Sequence, residues 1–209
     1  MTTFASLGVP EVLAAALAKR GITVPTEIQT ALIPAAYAGE NLIGEAPTGT
    51  GKTLAYLLPL LTRIDPSLRS VQALILAPTH ELAMQIADVA RETAQAAELS
   101  IRVQALIGGA NIKRQIEALK KKPAVIVGSA ARMLELHRLG KLAQLLGSEP
   151  AVAPSDFFQA GNLQVLDVLN GAHKGGGIVQ AFVCACIQPC EAAPQQLHVQ
   201  AAVVQIHFV

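Results

Sequence analysis

The segment from Ala46 to Thr53 constrains the fold of this chain more than any other. It reads Ala46-Pro47-Thr48-Gly49-Thr50-Gly51-Lys52-Thr53, a phosphate-binding loop (P-loop) of the form A-x-x-x-x-G-K-T, with alanine where the general pattern has its first glycine. The residues before it, 41–44, are typical of a short buried strand, and residues 54–58 after it are typical of a helix. The pattern therefore predicts strand, loop and helix in that order.

The residue types of this loop match the chemistry of a phosphate site. Gly49 and Gly51 permit a turn tight enough for several backbone N–H groups to point inward, and the helix that follows adds its partial positive charge. Lys52 is expected to neutralise β- and γ-phosphate oxygens, and the Thr53 hydroxyl to ligate Mg²⁺. The pattern thus predicts a nucleoside triphosphate site with Lys52 and Thr53 as its chemical groups. The alternative is a Gly/Thr-rich turn that binds nothing.

The chain after the loop alternates between apolar runs and helical patterns. Further strands are predicted at 71–77, 101–107 and 124–127, and helices at 81–97, around Ile112, Ile116 and Leu119, and at 132–139. Such alternation predicts an α/β fold with a parallel sheet covered by helices on both faces. Ligands of such sheets lie beyond the carboxyl ends of the strands.

Composition narrows the class of protein. Hydrophobic residues make up 52% of the chain, enough for a core, and the net charge of +1 argues against a polycation that binds nucleic acid by bulk attraction. Three cysteines, an odd number, do not form a disulfide framework. We find no secretory signal pattern and no apolar run long enough to span a bilayer. We therefore predict a cytoplasmic protein without a membrane partner.

The composition changes abruptly near residue 142. Residues 142–209 contain one lysine, Lys174, and no arginine, but all three cysteines of the chain. We therefore predict two segments, a nucleotide-binding domain at 1–141 and a divergent C-terminal segment at 142–209.

Five motifs in order make residues 1–141 resemble the N-terminal RecA-like domain of DEAD-box RNA helicases. Besides the P-loop, Phe4 followed by Gly21 and the run Pro25-Thr26-Glu27-Ile28-Gln29 resembles the family's Q motif. The resemblance implies that the Gln29 amide reads the adenine edge of ATP in preference to GTP, with Thr26 close to the P-loop. Thr26 is also a plausible helix N-cap.

The remaining motifs imply contacts to RNA. Residues 77–83 resemble motif Ia, with Thr79 retained and His80 in place of arginine, which makes that contact weaker or pH-dependent. Gly108-Gly109 matches the family's double glycine, although a plain turn is an equal alternative. Residues 127–132 resemble motif Ib, with Ser129 and Arg132 retained. The resemblance implies that these residues line a single RNA strand and bind its backbone.

The resemblance stops beyond Arg132. The family's Asp-Glu-Ala-Asp motif is not found, since the sequence holds no Asp-Glu pair, and the nearest candidate is Asp167 followed by Val168. Valine cannot orient an attacking water, so Asp167 would at most touch Mg²⁺. The Ser-Ala-Thr motif and the second RecA-like domain are not found either. We therefore expect no unwinding by this chain alone, unless a partner supplies a second RecA-like domain.

The C-terminal segment permits two interpretations. A metal site could use Cys184, Cys186 and Cys190 with His198 or His207, although this spacing is not a common zinc pattern. Alternatively, a shifted reading frame explains the lost motif and the changed composition together and predicts a poorly ordered segment. Three functional hypotheses follow: an ATP-hydrolysing, RNA-contacting domain; a catalytically silent binding module or truncated product; and a metal-binding C-terminal segment.

Overall fold

The computed structural model describes residues 2–40, 42–141, 179–189 and 197–208. A 3₁₀ turn at Ala5–Leu7 comes first. The helices are α1 (Glu11–Lys19), α2 (Glu27–Tyr37), α3 (Lys52–Arg63), α4 (His80–Ala96), α5 (Ile112–Leu119) and α6 (Ala130–Arg138). The strands are β1 (Leu42–Ala46), β2 (Ala73–Ala77), β3 (Val103–Leu106), β4 (Val125–Ser129), β5 (Val179–Pro189) and β6 (Leu197–Phe208).

The strands of the described residues form one six-stranded sheet in the order β1-β6-β5-β2-β4-β3. β2, β4 and β3 pair in parallel, with Ala77 opposite Ser129 and Leu106 opposite Gly128, as the alternation of strands and helices predicts. β5 runs antiparallel to both of its neighbours, and β6 runs parallel to β1. β1 therefore points in the same direction as β2, although a hairpin from the C-terminal segment lies between them.

Both faces of the parallel strands are covered by helices. On one face, Ile75 of β2 and Val125 of β4 pack in a cluster with buried residues of α3 and α4. On the other face, Leu74 of β2 and Ile126 of β4 pack with residues of α5 and α6. Adjacent strand residues point to opposite faces, so a strand buried on both sides must be continuously apolar. β2 satisfies this requirement because all five of its residues are buried.

A third cluster attaches the N-terminal helices to the domain. Phe4, Leu13 and Leu17 pack with Ile33 of α2 and Leu58 of α3. The phenyl ring of Phe4 is buried in this cluster. The N-terminal residues therefore fix α2, the helix that carries Gln29, against α3, the helix that begins at Lys52.

The end of β4 is packed so closely that only glycine fits at position 128. A Cβ atom added there would collide with Met133 Cε and would lie 2.7 Å from the backbone oxygen of Leu106 on the neighbouring strand. We expect Gly128→Ala to lower the free energy of unfolding by about 3 kcal/mol, since the strand pair must shift. Urea denaturation of the nucleotide-free protein measures this loss.

Gly44→Ala is the matched control for this prediction. A Cβ atom at Gly44 would lie 2.6 Å from Leu32 Cδ1, the end of a flexible side chain that can move. We expect a loss of about 1 kcal/mol for this substitution. Equal losses for the two variants would mean that the neighbouring backbone does not restrict the size of residue 128.

Most predicted elements lie within two residues of those observed. The exception is the helix after the P-loop, for which the sequence predicts 54–58 but which runs from Lys52 to Arg63 and continues through Pro59. In the described part of the chain, no helix combines the length and the apolar character that crossing a bilayer demands.

Candidate functional site

The four predicted motifs that follow strands lie at one edge of the sheet. The P-loop follows β1, the Thr79 turn follows β2, Gly108-Gly109 follows β3, and Ser129 is the last residue of β4. Because these four strands point in the same direction, their carboxyl ends meet at the same edge. This is the edge at which α/β sheets bind ligands.

The P-loop is a tight turn that ends at the first residue of α3. Gly49 has φ +86° and Gly51 has φ +85°, a left-handed conformation that glycine adopts without strain. The Thr50 hydroxyl donates to the Pro47 carbonyl at 2.8 Å and closes the turn. Pro47, Thr48 and Gly49 are exposed, so the outer side of the loop faces solvent.

Lys52 lies inside this turn. Its side chain is only 3% exposed, and its ammonium donates to the carbonyls of Ala46 and of Pro47, the latter at 2.6 Å. Burial lowers the pKa of Lys52 because the charged form loses hydration. The loop thus holds a partly dehydrated cation among carbonyl dipoles. An anionic ligand would stabilise this cation strongly, because hydrogen bonds between charged groups are stronger than those to carbonyls. Thr53, the next residue, is half-buried in the first turn of α3.

Gln29 connects the start of α2 to the P-loop. Its Nε2 donates to the Gly51 carbonyl at 3.0 Å, and its Oε1 accepts from the Thr26 backbone N–H at 3.0 Å. Thr26 is the N-cap of α2, and the two residues form a capping box. The side chain of Gln29 is 2% exposed. The predicted base-reading amide is therefore also a structural link, with one N–H and one lone pair left for another partner.

An open cavity of about 610 Å³ lies beside this link. It is mainly apolar and is lined by Thr2, Val24, Pro25, Glu27, Thr30 and Ala31. Val24, at 68% exposed, is the most exposed large hydrophobic residue among those described. The volume of the cavity falls within the usual range of small-molecule pockets. No sequence pattern predicts this cavity, and Gln29 does not line it.

The turns after β2 and β3 touch each other. Thr79 caps α4 by accepting from the Leu82 backbone N–H at 3.2 Å. His80 is exposed, and a Cβ atom added at Gly108 would lie 2.8 Å from His80 Nε2. The carboxylate of Glu81 lies in the first turn of α4, where the backbone N–H and then the Thr79 hydroxyl lower its pKa. The structure therefore brings Thr79, His80 and Gly108 together.

Ser129 and Arg132 lie deeper than the other residues that were predicted to face RNA. Both are buried, and Arg132 Nη2 donates to the Ala110 carbonyl at 3.0 Å. Arg132 Nε lies 3.1 Å from the carboxylate of Glu135. The Ser129 hydroxyl has no hydrogen-bond partner among the residues that the structure describes. Arg132 thus bonds to the Ala110 carbonyl, next to Gly109, from the buried side of this turn.

Comparison with known proteins identifies the family. Residues 26–149, more than half of the chain, match the family described as DEAD/DEAH box helicase. The chain belongs to this family. It is 53% identical over 124 residues to the DEAD-box ATP-dependent RNA helicase CshC of Bacillus cereus, a match that covers 59% of this chain and 31% of that protein.

Other DEAD-box relatives match the same part of the chain. The probable ATP-dependent RNA helicase YfmL of Bacillus subtilis is 48% identical over 122 residues, covering 58% of this chain and 32% of the relative. The DEAD-box ATP-dependent RNA helicase CshB of Listeria monocytogenes is 42% identical over 135 residues, covering 65% and 31%. The chain therefore spans about a third of the length of these curated relatives.

One buried polar residue near these turns is not among the residues that the sequence motifs predict. Gln115 of α5 is buried, and its Nε2 donates to the Ile107 carbonyl at 2.8 Å. A signal for it exists, because position 115 falls on the apolar stripe of α5 that Ile112, Ile116 and Leu119 define. An amide in such a stripe requires a buried hydrogen-bond partner.

The predictions for the C-terminal segment fall partly outside the described residues. Asp167, Val168 and Cys190 lie outside them, whereas Cys184 and Cys186 lie on β5. His198 and His207 lie on β6. Within the part of the chain that the structure describes, no group of three His, Cys, Asp or Glu residues is placed to hold a metal ion. The hypothesis of a metal-binding segment remains a prediction.

Proposed function

We propose that this domain binds ATP with Mg²⁺ at its P-loop and contacts an RNA backbone at the turns after β2 and β3. The observation that carries the proposal is the position of Lys52, a buried ammonium held by two backbone carbonyls at the start of α3. A cation in this position is matched to a polyphosphate, which replaces weak carbonyl acceptors by strong ones. The names of the relatives CshC and CshB, both ATP-dependent RNA helicases, support the choice of ATP and RNA.

The residues of the loop fit a triphosphate and its metal ion. A Cβ atom at Gly51 would collide with Gln29 Nε2, so this position of the turn has no room for a side chain. Thr53 carries its hydroxyl in the first turn of α3, next to Lys52, and a hydroxyl oxygen is a ligand that Mg²⁺ accepts. Bound ATP supplies a γ-phosphoryl group that water can attack. In this proposal Lys52 neutralises phosphate charge, Thr53 holds the metal, and the link from Gln29 keeps the turn closed.

On the RNA side, we propose contacts that are mainly uncharged. Thr79, at the N-terminus of α4, offers a hydroxyl and a helix dipole, and Gly109 offers exposed backbone. The exposed imidazole of His80, beside Gly108, offers a ring nitrogen to the strand. We expect such a surface to bind a single RNA strand weakly.

The missing carboxylates favour a second candidate function, a silent binding module. The sequence holds no Asp-Glu pair, and a triphosphate without a residue to orient the attacking water is hydrolysed slowly. We propose that this chain alone binds ATP without efficient turnover and without unwinding. A partner that supplies a second RecA-like domain, and a cytoplasmic location, remain predictions.

Single-turnover hydrolysis of ATP by the purified 209-residue chain, with and without single-stranded RNA, separates the two candidates. ATP binding without RNA-stimulated hydrolysis supports the silent module. RNA-stimulated hydrolysis that disappears in Lys52→Ala supports the enzyme. If the chain binds neither ATP nor RNA, both candidates are wrong.

Replacing His80 by arginine is expected to strengthen RNA binding. His80 is exposed at the start of α4, so a longer cation can reach a phosphate there. We expect His80→Arg to raise RNA affinity about fivefold near pH 7.5 and to steepen the salt dependence of log K by about 0.7, the value for one additional phosphate contact on a single strand. Fluorescence anisotropy with labelled RNA at several salt concentrations measures both quantities.

Gln85→Arg is the control for this variant, because Gln85 is exposed on the same helix but lies more than one turn further from the strand ends. An equal gain in affinity for the two variants would mean that added charge acts in bulk. In that case His80 does not face RNA.

A further inference from the structure

The turn that connects β3 to α5, residues 107–110, is held at both of its ends by buried side chains. We call it the glycine turn. Gln115 Nε2 donates to the Ile107 carbonyl at 2.8 Å, and Arg132 Nη2 donates to the Ala110 carbonyl at 3.0 Å. Gln115 is 7% exposed and Arg132 is 6% exposed. The two side chains come from α5 and α6, the helices on one face of the sheet.

The glycine turn needs such support because its own residues provide little. Gly109 has φ +75°, and a Cβ atom added there would meet no atom of the described residues within 4 Å. Glycine has the largest conformational freedom of any residue, so two in succession form a mobile turn unless other groups hold it. Gly109 and Ala110 are exposed on the outer side. The bonds from Gln115 and Arg132 therefore restrain the turn without covering its exposed side.

The cost of burying these side chains also argues for a specific role. Among the described residues, Gln115 Oε1, Ser129 Oγ and Arg132 Nη1 are buried without a hydrogen-bond partner. Each such atom lowers stability, and two apolar side chains of similar size would pack there at less cost. What the polar side chains provide, and apolar ones would not, is a donor for each end of the glycine turn.

We propose that Gln115 and Arg132 are positioning residues that hold the glycine turn in the conformation that presents its backbone to RNA, and that neither side chain touches RNA. This inference rests on the proposed RNA contact of the turn. It assigns a role to Gln115 and changes the role of Arg132 from a direct phosphate ligand to a support. The burial of the Arg132 guanidinium and its position against Glu135 agree with a support.

The support is tested first without RNA, by hydrogen exchange on the whole chain. The backbone N–H groups of Lys113 and Gln115 bond to Asn111, directly after the glycine turn, at 2.9 Å and 3.2 Å, and report on its opening. In Gln115→Met and in Arg132→Met we expect these amides to exchange about fivefold faster, the effect of losing one hydrogen bond. Gln95→Met, at an exposed position of α4, is the control and should leave them unchanged. Unchanged exchange in both test variants overturns the proposal.

RNA binding then separates a support from a direct ligand. We expect Arg132→Met and Gln115→Met to weaken RNA binding about fivefold, with the same slope of log K against log salt as the original chain and the same affinity for ATP. A slope that is shallower by about 0.7 in Arg132→Met would show a lost phosphate contact and overturn the proposal. An equal loss of ATP affinity would show general damage to the fold and would also overturn it. If the original chain binds no RNA, the proposed RNA contact fails, and hydrogen exchange alone decides whether the two residues support the turn.

Discussion

Replacing Lys52 by alanine is expected to lower the affinity for ATP with Mg²⁺ about 100-fold, while the protein remains folded. The ammonium of Lys52 is the buried cation of the P-loop, and hydrogen bonds to charged partners contribute about 3 kcal/mol when they are lost with their charge. Isothermal titration calorimetry with ATP measures the affinity, and urea denaturation measures the stability.

The stability of the variant is expected to change by about 1 kcal/mol or less. Pro47 is exposed and Ala46 is partly exposed, so water can replace the ammonium at their carbonyls. The variant also removes a cation whose pKa is lowered by burial, a group that is costly to keep charged. Lys121→Ala removes an exposed lysine from the opposite end of the sheet and should leave ATP affinity unchanged. Equal affinities for all three proteins would mean that the P-loop does not bind the phosphates.

Replacing Gly51 by alanine is expected to lower the free energy of unfolding by about 3 kcal/mol in the absence of nucleotide. About 1 kcal/mol comes from the left-handed backbone conformation, which alanine adopts with strain. The rest comes from Gln29, because the added Cβ atom would collide with its Nε2. Moving this amide breaks its bonds to the Gly51 carbonyl and the Thr26 N–H and leaves the buried Gln29 side chain without these partners.

Gly49→Ala isolates the contribution of Gln29. Gly49 has almost the same φ as Gly51, but in the described part of the chain a Cβ atom added there would meet nothing within 4 Å. We expect Gly49→Ala to cost about 1 kcal/mol, the backbone strain alone. If urea denaturation gives the same loss of unfolding free energy for both variants, the hydrogen bonds of Gln29 do not stabilise the P-loop.

The sequence predicts those parts of the candidate site whose residues are close together in the chain. The P-loop could be located because its spacing, its two glycines and its Lys-Thr pair are required together by one kind of ligand. The order of strands and helices from the P-loop to residue 138 could be predicted because β2 and residues 125–127 of β4 are apolar runs, and α4 and α5 carry apolar stripes. Thr26 lies close to the P-loop, since a Cβ atom added at Gly51 would be 3.4 Å from its Oγ1, and the hydrogen bond to Gly51 comes from the Gln29 side chain.

The helix after the P-loop shows how packing overrides a local signal. Proline removes one helical hydrogen bond and clashes with the preceding turn, at a cost of about 3 kcal/mol, which favours a helix end before Pro59. The observed helix continues because Leu57, Leu58, Leu60 and Leu61 are all buried. Burying a leucine side chain contributes about 2 kcal/mol, so four of them outweigh the proline.

Contacts between distant residues explain what the sequence could not predict. Arg132 and Ala110 are 22 positions apart, and only the folded sheet brings the guanidinium behind the glycine turn. The pairing of β6 with β1, and of β5 with β2, joins segments more than 100 residues apart in the chain. Local patterns carry no information about such pairings, because an apolar strand can pair with many partners.

Calorimetric titration of the purified chain with ATP and with GTP in the presence of Mg²⁺ is the most direct test of whether this domain holds ATP through the buried cation of its P-loop. We expect saturable binding of ATP at one site, weaker binding of GTP, and ATP binding that is about 100-fold weaker in Lys52→Ala. If the folded protein gives no binding heat with ATP, and ATP does not displace a fluorescent ATP analogue from it, ATP does not bind at this loop.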